Sequence, residues 1–79
     1  MRISARNQLP GTVLSVQRGA VNGLVTIEVA PGVVITSSIT NAAIDELGLT
    51  QGARAVAVIK ASAVMVGVED QERPLHASA

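Results

Sequence analysis

Val25-Thr26-Ile27-Glu28-Val29-Ala30-Pro31-Gly32-Val33-Val34-Ile35-Thr36-Ser37-Ser38-Ile39 is the stretch that decides the fold. Val25, Ile27 and Val29 alternate with Thr26 and Glu28, the period-two pattern of a strand with one face buried. Ala30-Pro31-Gly32 then predicts a tight turn, because proline presets φ at the second turn position and glycine accepts a positive φ after it. Val33 to Ile39 returns as the second arm of a hairpin. Upstream, Gly11 to Gln17 is a third strand, with Leu14 and Val16 on one parity and Ser15 and Gln17 on the other, and Arg18-Gly19-Ala20 turns the chain into the hairpin. Downstream, Thr40 or Asn41 caps a single short helix over Ala42 to Leu47, and Gly48 suits its left-handed end. Thr50-Gln51-Gly52 is another turn, and Ala53 to Lys60 and Ala63 to Val68 are the last two strands. Alanines at 53, 55 and 57 line one whole face of the fourth strand, which lets another backbone come close. The pattern predicts an all-β domain: a small five-stranded OB-like barrel, partly open, with one short helix between the third and fourth strands.

Composition narrows what such a domain can do. The chain has 79 residues, no Cys and no Phe, Trp or Tyr, so it has no disulfide, no thiolate zinc site and no aromatic platform for stacking a base or sugar. Hydrophobic residues make up 48% of it, but 12 of those 38 residues are alanine, which buries little area. A domain this small, without a staple or a bulky core residue, gains the missing burial from a partner copy, so an obligate homo-oligomer is expected. No apolar h-region follows Met1-Arg2, and no run approaches the ~18 apolar residues of a membrane span, so a cytoplasmic protein off the membrane is expected.

Six Lys and Arg balance six Asp and Glu, but unevenly along the chain. Residues 1–68 form the barrel domain and hold five cations against three carboxylates. Residues 69–79 hold Arg73 against Glu69, Asp70 and Glu72, and with Pro74 and the lone His76 they read as an acidic, flexible tail. Catalysis is not expected. The one histidine lies in that tail, far from any serine it would activate. Asp45 and Glu46 are neighbours on a helix and do not share a face, and Glu28 stands alone. Five scattered cations without aromatics also argue against a nucleic-acid partner.

What the chain does hold is a set of hydrogen-bond donors suited to a small anion. Ser4-Ala5-Arg6-Asn7 gathers a hydroxyl, a guanidinium and an amide, and an extended backbone turns Ser4 and Arg6 to one side. Lys60-Ala61-Ser62 carries the only lysine and another hydroxyl. Thr36, Ser37, Ser38 and Thr40 precede a helix N-terminus, which favours negative charge.

These stretches resemble the molbindins (Mop proteins), small molybdate-binding members of the TOBE domain group. The matching pieces are Ser4-Ala5-Arg6-Asn7-Gln8-Leu9 with Gly11, then Arg18-Gly19-Ala20-Val21, Ile35-Thr36-Ser37 with Ile39-Thr40, Glu46-Leu47-Gly48-Leu49, Gly52, and Val58-Ile59-Lys60-Ala61-Ser62 followed by Val64-Met65-Val66. They run in order through residues 1–68. The resemblance implies a strand-exchanged oligomer, a hexamer built as a trimer of dimers, with oxyanions at the subunit interfaces. It implies reversible binding of molybdate or tungstate, as ligand and not as metal ion or organic cofactor, for intracellular molybdenum storage and homeostasis. Carried over residue by residue, the anion contacts fall on Ser4, Arg6, Thr40 and Lys60. A serine that some relatives place three residues after the threonine is Ala43 here, and Ser62 is the residue that would compensate. Gly19, Ala20, Val21 and Asn22 are the candidates for part of a second oxyanion site. The alternative is a TOBE barrel serving as a protein-interaction module with little anion binding, an option that Ala43 keeps open. With motif residues starting at position 4 and the chain ending soon after the last strand, a free-standing protein is expected.

The chemistry suits that ligand. Molybdate is a bare tetrahedral dianion at neutral pH, so a site made wholly of donors fits it. Phosphate often carries a proton that would need an acceptor there. Sulfate is also a bare dianion, which leaves cavity size to exclude it, and tungstate is close to molybdate in size. Arg6 can hold two oxygens at once, whereas Lys60 acts as a point charge.

Overall fold

The computed structural model describes residues 1–70. Its elements are β1 (Asn7–Arg18), β2 (Asn22–Ala30), β3 (Val33–Thr40), α1 (Asn41–Leu47), β4 (Arg54–Ile59) and one 3₁₀ turn over Ala61–Ala63. All strand pairs are antiparallel, in the order β3-β2-β1-β4. The sheet curls into a half-barrel whose two edges, β3 and β4, stay apart.

The hairpin forms as its sequence dictates. Ala30 pairs with Val33 around Pro31-Gly32, and Gly32 takes φ 76°, the left-handed value that a residue with a Cβ adopts only at a cost. Thr40 caps α1 by accepting a hydrogen bond from the Ala43 N–H at 3.1 Å, and Gly48 ends the helix in the left-handed conformation. Val25 and Ile27 point inward and join Val13, Ile44 and Ala57 in a small buried core, and Ile44 brings α1 onto it.

β1 departs most from its sequence pattern. It begins at Asn7 instead of Gly11 and passes through Pro10, a residue that cannot donate to a ladder. The Val13 N–H and C=O bond to Ala53 and Gly52, on the β4 side. Alternation therefore aims the nitrogen of Pro10 away from β4, toward a side where β2 does not begin pairing until Thr12. No ladder bond is lost. Between Val13 and Ser15 the register with β2 slips by one residue. This bulge leaves Leu14 exposed and switches the inward parity from Val13 to Val16, so Leu14 and Val16 do not share a buried face.

The fifth strand expected from the sequence is not seen among the described residues. The described residues contain four, and Ala63–Val68 is not a strand. The 3₁₀ turn directs the chain off the sheet, and Met65, Val66 and Val68 are 93%, 90% and 86% exposed, so this apolar segment packs against nothing among the described residues. Of the acidic tail, Glu69 and Asp70 lie in irregular structure, while Arg73, Pro74 and His76 fall outside the described residues. No helix among the described residues is long and apolar enough to cross a membrane.

Candidate functional site

Pairing of β1 with β4 brings together two ends of the sequence. Asn7 lies opposite Ile59, so the residues just before β1 and those just after β4 leave the sheet side by side. Between them lies an open groove of about 490 Å³, lined by Ile3, Ser4, Ala5, Arg6, Lys60, Ala61 and Ser62. Two local hydrogen bonds hold its walls: the Asn7 side-chain amide donates to the Ile59 carbonyl at 3.2 Å, and the Gln8 amide donates to the Ala5 carbonyl at 3.0 Å. The second bond folds the Ser4-Ala5-Arg6 stretch back on the strand that follows it. On the other wall, the Ala63 N–H donates to the Lys60 carbonyl at 2.9 Å, so Ser62 sits within a single tight turn.

The electrostatics of this groove are one-sided. Arg18–Asp45 is the one ion pair among the described residues, so neither Arg6 nor Lys60 has a carboxylate of those residues within ion-pair distance. Arg6, Lys60, Ser4 and Ser62 are all exposed. The groove thus presents two uncompensated cations and two hydroxyl donors. No group of three His, Cys, Asp or Glu side chains that could hold a bare metal ion occurs among the described residues.

Thr40 is not part of this groove. It pairs with Asn22 beside the far end of β1, while Arg6 precedes the near end, with roughly 35 Å of strand between them at about 3.3 Å per residue. Its own surroundings are well defined. The Thr40 hydroxyl oxygen accepts from the Ala43 N–H, so its hydrogen remains available to donate outward. That capping bond also occupies the Ala43 N–H, which therefore cannot replace the side chain that Ala43 lacks. Ser62 lies at the opposite end from Ala43 and cannot replace it within the same chain.

The Gly19–Asn22 turn lies next to Thr40. The Gly19 N–H donates to the Asn22 carbonyl at 2.8 Å, and Asn41 donates from its backbone to Val21 at 2.8 Å and from its side chain to Gly19 at 3.0 Å. The neighbouring cation, Arg18, is taken up by Asp45 on α1. The sequence reading counted Asn7 among the donors and Asn41 as a possible helix cap, but missed that Asn7, Gln8 and Asn41 hold the walls of these sites through backbone carbonyls. Their one signal in the sequence is that each is an amide in or beside a stretch already picked out for its donors.

A family model for the TOBE domain matches residues 3–66. This chain belongs to the TOBE domain family. Over 69 residues the domain is 52% identical to a protein of Haemophilus influenzae named as a probable molybdenum-pterin-binding protein, spanning 87% of this chain and 100% of the relative. Among solved structures, MopII from Clostridium pasteurianum, in an apo form, shares the fold with a TM-score of 0.79 and 43% identity, over 85% of this chain and 100% of that one. The cytoplasmic molybdate-binding protein ModG, solved with molybdate bound, gives a TM-score of 0.82 and 54% identity, over 87% of this TOBE domain and 49% of that chain.

Proposed function

We propose that this TOBE domain binds molybdate reversibly, as a bare dianion, at seams between copies of the chain, and serves intracellular molybdenum storage and homeostasis in the cytoplasm. Tungstate, of nearly the same size and charge, is held in the same way. The observation that carries this proposal is the groove in which residues 3–6 meet residues 60–62, with two cations, two hydroxyls and no paired carboxylate. Its relatives support the same ligand: one is named for molybdenum-pterin binding and another was solved with molybdate.

Ser4, Arg6, Lys60 and Ser62 of one copy form half of the site. Their groove is open and much larger than a four-oxygen anion, and Thr40 is too far along the sheet to close it from within. A second copy that brings its own Thr40 completes the donor set and excludes water, which strengthens each charge-assisted bond. The surface of the single chain supports such assembly. It exposes 6178 Å², whereas a compact monomer of 8.0 kDa exposes about 4,500 Å². The excess includes Val64, Met65, Val66 and Val68. Residues 63–68 then supply the fifth strand to a neighbour's sheet, in a hexamer built as a trimer of dimers, and the Gly19–Asn22 turn contributes to a second oxyanion position.

Native mass spectrometry with and without molybdate, joined to titration calorimetry against excess sulfate, tests this function. The expected result is a hexamer with saturable molybdate binding that survives the sulfate. An assembled protein that takes up no molybdate would leave only the interaction-module alternative, and equal competition by sulfate would remove the selectivity.

A further inference from the structure

Asn41 holds the join between β3 and α1 against the β1–β2 turn, and the way it does so carries an internal cost. Its backbone N–H donates to the Val21 carbonyl and its side-chain amide donates to the Gly19 carbonyl, so one residue occupies two carbonyls of the same turn. In an ordinary tight hairpin the Gly19–Asn22 pair would exchange two backbone bonds. Here the Gly19 N–H donates to the Asn22 carbonyl, but the reciprocal bond from the Asn22 N–H is not made, and the Asn41 amide takes its place at the Gly19 carbonyl.

The other half of that amide is unsatisfied. Asn41 Oδ1 is buried and has no hydrogen-bond partner, and it lies 3.2 Å from where a Cβ on Gly23 would stand. That same Cβ position is 2.7 Å from Ile44 Cδ1 and 3.0 Å from the Gln17 carbonyl oxygen, so the oxygen sits in a tight corner whose nearest polar neighbour is another acceptor and cannot satisfy it. An unpaired buried acceptor costs more stability than one neutral hydrogen bond to an exposed carbonyl adds, since water can take the Gly19 carbonyl when the amide is gone. Fold stability by itself therefore does not account for an amide at this position.

We propose that Asn41 is a positioning residue for Thr40: its side-chain clamp on the Gly19 carbonyl fixes the capped Thr40 hydroxyl relative to the β1–β2 turn and so sets anion affinity. This rests on Thr40 being a ligand, as proposed above. Thr40 is held on its helix side by the Ala43 N–H and on its sheet side by pairing with Asn22. The Asn41 clamp ties the β1 side of the turn to this unit.

The test compares wild type with Asn41→Leu in the full chain, reading melting temperature, assembly by native mass spectrometry and molybdate affinity by calorimetry. Asn41→Leu keeps the number of side-chain heavy atoms and the backbone bond, and removes both the clamp and the orphaned oxygen. The expected result is an intact assembly that melts no lower than wild type and binds molybdate about tenfold more weakly, the scale seen when a residue that orients a ligand is lost. Asn41→Ser, whose shorter side chain abandons the clamp at an exposed carbonyl, should show the same weakening and serves if the leucine variant does not fold. Unchanged affinity in either folded variant overturns the role of Asn41, as does a parallel loss of melting temperature and affinity. Wild-type protein that binds no molybdate overturns the parent proposal instead, so the two failures are distinguishable.

Discussion

Replacing Lys60 by alanine is the sharpest probe of the groove, because the structure isolates the charge from the fold. Lys60 follows β4 with an extended backbone, φ −63° and ψ 135°, which alanine adopts freely. Its structural bond, to the Ala63 N–H, uses the carbonyl and survives any side-chain change. The side chain is exposed and has no carboxylate within ion-pair distance among the described residues, so removing it orphans none of them, and folding should change by no more than about 0.5 kcal/mol. Binding should change far more. One charge-assisted hydrogen bond contributes roughly 1.5–3 kcal/mol, or about 10- to 150-fold in affinity. Arg6 and the hydroxyls remain, so binding is weakened and not abolished. The assay is titration calorimetry with molybdate at low and high salt, beside Lys60→Met to control for loss of the aliphatic stem. Both variants should bind more weakly, with a shallower salt dependence than wild type, since one cation no longer faces the dianion. A molybdate affinity within twofold of wild type at low salt, in an intact assembly, would refute the assignment of the groove.

Other outcomes follow from single contacts. A Cβ at Gly11 would stand 2.4 Å from the Glu28 carbonyl oxygen and 2.8 Å from Ile27 Cγ2, so Gly11→Ala should destabilise by about 1–3 kcal/mol in urea denaturation, and wild-type stability would contradict the close approach of β1 and β2. Thr40→Ala should lose about 1 kcal/mol with the helix cap and should also weaken molybdate binding, whereas Thr40→Ser should keep both. Equal binding by the two variants would remove Thr40 from the site. Val66→Asp places a charge on a residue that is solvent-exposed in the single chain; light scattering after gel filtration should show a smaller species, and an unchanged mass would mean that this segment covers no neighbour.

Much of the fold can be read directly from the residues because its signals are local. Proline and glycine at 31–32 demand their turn, Thr40 and Gly48 bracket their helix, and the alternation of Val25 to Val29 fixes which face of β2 is buried. The misreadings share a physical cause, namely that a strand's fate depends on what pairs with it. Pro10 marks a strand boundary in sequence, but it lies inside β1 because its nitrogen faces an unpaired side. The bulge at Leu14 arises from register with β2 and leaves no local mark. Ala63–Val68 has a strand's composition but pairs with neither open edge, β3 or β4, of its own sheet.

The candidate site divides along the same line. Residue types alone narrowed the ligand class, since a chain without aromatic rings, thiols or a usable histidine, but with clustered donors, suits a small anion, and it was the family resemblance that singled that reading out. The motifs pointed to the family. Only the tertiary structure decided which donors meet: antiparallel pairing of β1 with β4 joins positions 4 and 6 to 60 and 62, and the length of β1 carries Thr40 to the opposite end. Sequence order does not encode that distance, because it is set by strand register, and register follows from which faces the whole sheet must bury.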